Sequence, residues 1–72
     1  MDLYYCCDTT NETYYSEMVI AAPDEAEARR LADELENDET HLWTDPASAQ
    51  FDVIGQAVPD TVADVIVARY QY

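Results

Sequence analysis

The chain has 72 residues, 49% of them hydrophobic, and carries 16 acids against 3 arginines and no lysine, for a net charge of −13. That length holds a single domain (1–72) with a small core, and the apolar content excludes intrinsic disorder. The charge excludes direct nucleic-acid binding and adsorption to anionic membranes, because both depend on Lys and Arg, and no apolar run approaches the ~18 residues of a membrane span.

In chain order, "LYYCC" (3–7) is rich in β-forming aromatics, "DTTNET" (8–13) is turn material, and "YYSEMVIAA" (14–22) resumes β character, which together predict a hairpin. Along 14–22, Tyr14, Ser16, Met18 and Ile20 alternate with Tyr15, Glu17, Val19 and Ala21. The adjacent Cys6 and Cys7 point to opposite faces of a strand and do not bridge each other. With no Cys-x-x-Cys spacing and a polar N-terminus, reduced thiols in a host-cell cytosol are the expected setting.

"PDEAEARRLADELENDE" (23–39) predicts a helix, with Pro23 at the first helical position and Asp24, Glu25 and Glu27 at the positive end of the dipole. Ala28, Leu31, Ala32 and Leu35 form one narrow apolar stripe. Glu25–Arg29 and Arg30–Glu34 are i,i+4 pairs that occupy both helix arginines. In the connection 40–50, Leu42 and Trp43 are the expected core anchors, and Thr44 or Asp45 can cap a turn beginning at Pro46. "FDVIGQA" (51–57) reads as a strand with Gly55 at a bulge or close approach, and "VPDT" (58–61) as a turn. "DVIVARYQY" (64–72) is a near-continuous apolar run, the pattern of a central strand covered on both faces.

The order strand-strand-helix-strand-strand predicts an α+β fold: a small antiparallel sheet of three to four strands with one helix packed on one face. One helix cannot cover both sides of such a sheet. The other face is therefore open, or buried in a partner or a second copy, with Tyr4, Tyr15, Val19, Glu17 and Asp52 as its candidate residues.

"DELENDE" (33–39) invites a calcium reading, but counting from Asp33 puts Leu35 at the third ligand position, and no glycine follows at the sixth. No metal site or cofactor is expected. The single histidine, His41, has no nucleophile motif beside it, and a reactive cysteine needs positive surroundings that this chain lacks. The reading is not an enzyme. What remains is charge placed against local stability. Asp33, Glu34, Glu36, Asp38 and Glu39 sit at the predicted helix C-terminus, where the dipole disfavours anions. These five with Glu27 form the expected partner-binding surface, and Glu17, Asp52 and Tyr15 form a second one on the open sheet face. A dense negative surface of this kind attracts the Lys/Arg groove of a nucleic-acid-binding protein.

On "DELENDE", the acidic helix and its size, the chain resembles the small DNA-mimic inhibitors of phages and mobile elements, and most of all anti-CRISPR proteins against type I surveillance complexes. "FDVIGQA" and "DVIVARY" are similar to the C-terminal halves of small phage proteins. The resemblance implies acids that occupy a basic DNA-recognition site on a Cas effector subunit, with rim aromatics adding specificity, in a monomer or weak homodimer. Two other readings stay open: a salt-adapted cytosolic protein that uses acids in place of lysine to stay hydrated, and a dimeric protein-interaction module.

Overall fold

The computed structural model describes residues 1–37, 39–58 and 60–70. Its elements are β1 (Asp2–Asp8), β2 (Tyr15–Ala22), α1 (Glu25–Glu36), a 3-10 turn (Leu42–Thr44), β3 (Ala49–Gln56) and β4 (Asp64–Tyr70). The four strands form one antiparallel sheet in the order β3-β1-β2-β4, and α1 packs on one face of it against β2 and β4. The α+β architecture is the one the element order predicts.

β1 and β2 pair through Tyr4–Ile20 and Cys6–Met18, so these residues share the helix side. They form the core with Ala22, Ala28, Ala32, Trp43, Ala49 and Phe51. The helix contributes only alanines to the buried set, which lets its backbone lie close to the sheet. Leu31 is half-buried at the margin of the core and Leu35 is exposed, so the apolar stripe reaches beyond the sheet it covers.

Asp24, not Pro23, starts the helix. Its extended backbone and its carboxylate, which accepts from the Glu27 N–H at 2.8 Å, make it the N-cap, leaving Pro23 outside. At the other end Asn37 takes a left-handed conformation, φ 53°, and its N–H bonds the Asp33 carbonyl. Asn tolerates that region better than most residues, so the helix stops here instead of running to 39.

The last strand departs from expectation. β4 is an edge strand, not a central one, and Ile66, Val67 and Tyr70 are each more than half exposed. Its apolar run gives the pattern of a covered strand, but neighbour order is set by long-range pairing that no local pattern encodes. A second departure comes from bulges. β2 and β4 shift register twice: between Tyr15 and Glu17, which leaves Ser16 as the extra residue and turns Tyr15 to the helix side, and between Val19 and Ile20, which leaves Ile66 extra on β4. β1 and β3 shift between Leu3 and Tyr4, so Ile54 is the extra residue and the bulge lies next to Gly55.

Candidate partner-binding surface

The structure divides the predicted site residues among several places. Glu36 is half-buried and works locally: its carboxylate accepts from the Tyr14 N–H (2.5 Å), the Tyr15 N–H (3.2 Å) and the Trp43 indole N–H (3.1 Å). It thereby fastens the start of β2 and the loop after α1 to the helix. Asp33 faces the His41 ring, with Nδ1 at 3.0 Å from its carboxylate. These contacts change the reading of the helix C-terminus. Acids there oppose the dipole, yet two of them hold the following loop in place, so their position has a structural cause.

Glu34 is exposed, and its carboxylate accepts from the Arg30 guanidinium at 2.7 Å. Glu27 is half-buried and pairs with the same guanidinium, which draws its carboxyl below the usual range. Glu39 is exposed, and Asp38 lies outside the described residues. Arg29 pairs with Glu25 at 3.0 Å and also donates to the Trp43 and Ala49 carbonyls, so it bridges helix, loop and β3. Both i,i+4 pairs read from the sequence are present.

The open face carries Glu17 and Asp52 as expected, but with different neighbours. Tyr5, not Tyr4, stands on it. Tyr5 pairs in register with Val19 and Asp52, and its hydroxyl donates to Glu17 at 2.5 Å. That bond pushes the Tyr5 phenol up to about 12. Glu17 also receives Arg69 at 3.2 Å, and the two partners together lower its carboxyl. Tyr4 is buried in the core, because its register partner is Ile20. Tyr15 is on the helix side for the reason given above. The Glu17–Asp52 face and the α1 face are thus separate surfaces.

Sequence reasoning missed what surrounds Tyr15. Tyr14, Tyr15 and Tyr70 form a cluster, with Tyr14 edge-on to both others at 5.3 and 4.9 Å and Tyr15 stacked on Tyr70 at 5.0 Å. Tyr14 and Tyr70 are exposed, Glu36 is bonded to the backbone of Tyr14, and Glu34 and Tyr70 border the same groove. The C-terminal end of α1 therefore carries carboxylates and open tyrosine rings together. The adjacent tyrosines at 14 and 15 were the available signal, but only the bulge at Ser16 brings Tyr15 round to meet Tyr70.

The described residues contain no group of three or more His, Cys, Asp or Glu arranged to hold a metal ion. Burial pushes the Cys6 thiol up to about 12, so it is protonated at neutral pH. Among the described residues no helix is long and apolar enough to cross a membrane. No family model, curated protein or solved structure matches the chain.

Proposed function

We propose that this protein inhibits a nucleic-acid-binding defence complex by DNA mimicry: its acidic surface occupies the basic site of a partner subunit that otherwise admits DNA. A type I CRISPR effector is the target that the sequence resemblance favours. The observation that carries the reading is the acid-and-tyrosine patch at the C-terminal end of α1. Exposed Glu34 lies there beside Tyr14 and Tyr70, with Glu36 bonded beneath them, and each of the three arginines is held in an ion pair with a glutamate, Glu34 among them. The carboxylates raise the encounter rate with a cationic groove, and exposed tyrosines supply contact area at small entropic cost.

The test is biological. Cells carrying an active type I CRISPR system are challenged with a phage that the system targets, with and without this chain expressed. Plaques return when it is expressed. Unchanged immunity across several type I systems contradicts the CRISPR form of the proposal.

A second reading has its own observation. Glu12, Asp24, Asp45 and Asp60 are exposed on loops across the molecule, away from both the α1 patch and the Glu17–Asp52 face. Acids dispersed this way suit hydration in concentrated salt. Urea unfolding in ~0.1 M and ~2 M KCl separates the readings, because salt that screens self-repulsion restores a salt-adapted fold. A chain already folded at ~0.1 M contradicts salt adaptation.

A further inference from the structure

The two edges of the sheet differ. Beside β3 the helix side is closed: Trp43 stands edge-on to Phe51 at 6.1 Å, and the Arg29 guanidinium covers the Phe51 ring at 4.4 Å. Beside β4 a groove of about 680 Å³ opens between α1 and the strand, walled by Leu31, Leu35, Val65, Ala68, Tyr15 and Tyr70. Among the described residues β4 pairs only with β2, so its outer edge has no strand partner. β4 contains neither Lys nor Pro; its edge devices are a bulge at Ile66 and the charged Asp64 and Arg69 near its ends, so Val65, Val67 and Ala68 are the part of the strand open to addition.

The groove has acidic ends. β4 runs antiparallel to β2, pairing Tyr70 with Tyr15 and Asp64 with Ala21. Glu36 holds the end of α1 at Tyr14 and Tyr15. Glu34 and the tyrosine cluster therefore mark one end of the groove, and Asp64 the other.

We infer that the β4 edge and this groove receive an extended segment of a basic partner, which adds to the sheet as a fifth strand. Its main chain pairs with β4, its central apolar side chains fill the groove between Leu35 and Val65, and Lys or Arg near its ends meets Glu34, Asp64 and the tyrosine faces. A second copy of this chain does not suit the site. Antiparallel pairing of β4 with itself sets the Asp64 end of one copy beside the Glu34 end of the other, acid against acid, between chains of −13 each. The inference rests on the proposed function only in taking the partner to be a basic protein. The segment need not belong to its DNA site.

The full chain, labelled with ¹⁵N, is titrated at ~0.1 M NaCl with the probe peptide RKVTVTVKR and with RKVTPTVKR, whose central proline cannot complete a ladder. The expected result is shift changes and slowed amide exchange confined to β4, Leu31 and Leu35, with the proline peptide at least about tenfold weaker. Leu35→Arg, on the exposed wall of the groove, weakens the first peptide by a similar factor with unchanged circular dichroism. Equal binding of both peptides, no binding of either, changes centred on Glu17 and Val19, or a dimer in light scattering that protects β4 each overturns the inference. If the peptide adds to β4 while duplex DNA fails to displace a captured partner, the inhibitor function falls and the groove stands. If DNA displaces the partner and the peptide leaves β4 untouched, the groove falls alone.

Discussion

Asp8 closes β1 and organises the loop that follows. One carboxylate oxygen accepts from the Thr10 N–H (2.7 Å) and hydroxyl (2.6 Å), the other from the Thr13 N–H (2.9 Å) and hydroxyl (2.5 Å). Burial alone would raise this carboxyl. The four hydrogen bonds outweigh it and hold the value at about 2, against 3.8 for a free aspartate. A depressed carboxyl contributes stability that is fully present above the unfolded value and is lost as pH falls through the folded one. The shift of roughly two units corresponds to about 2.5 kcal/mol, lost between about pH 4 and pH 2. The other acids titrate in both the native chain and an Asp8→Asn variant, so their contribution largely cancels in the difference between the two. Asp8→Asn turns an amide N–H toward donors that now lack an acceptor, and costs about 3 kcal/mol at pH 6. Urea unfolding of both proteins from pH 6 to pH 2 is the assay. The stability gap narrows by about 2 kcal/mol over that range. A gap that stays constant refutes the assignment of Asp8 as the organiser of this loop.

Glu36→Ala removes the acceptor of the Tyr14, Tyr15 and Trp43 N–H groups and lowers stability by about 2–3 kcal/mol in urea, with Trp43 emission shifted to the red. An unchanged midpoint contradicts its fastening role. Gly55→Ala places a Cβ 3.8 Å from Leu3 Cδ1, an ordinary contact, at a position without positive φ, so thermal unfolding finds it neutral or stabilising by up to about 1 kcal/mol. A clear loss shows that the neighbouring bulge needs glycine. Glu34→Lys with Glu39→Lys changes exposed carboxylates that hold no loop, so circular dichroism stays native while affinity for a basic partner falls at least about tenfold. Asp33→Lys with Glu36→Lys, in contrast, lowers the urea midpoint, because both residues secure the loop after α1, Asp33 through His41 and Glu36 through Trp43.

The helix and the hairpin were legible because their signals are local. Helical spacing placed Ala28 and Ala32 on the buried stripe, and offsets of four residues placed Arg29 and Arg30 against their glutamates. Trp43 was legible as an anchor because a single large apolar residue in a polar loop has few other uses. The edge position of β4 and the side taken by Tyr15 were not legible. The first depends on which strand β2 meets across the sheet, and the second on one extra residue, Ser16, which reverses the alternation before it. For the acids, counting them showed the sign of the surface but not their division of labour. Asp8, Asp33 and Glu36 hold loops, and nothing in residue type separates them from Glu34 and Glu39.

The proposed mimicry is tested most directly by capture and competition. The immobilised chain is exposed at ~0.1 M salt to lysate of a host with an active type I CRISPR system, and duplex DNA is then added in steps. Mimicry predicts that a basic DNA-binding protein is retained and that duplex DNA releases it, with uncharged polymer having no effect. Retention of no such protein, or of one that duplex DNA does not release, contradicts it.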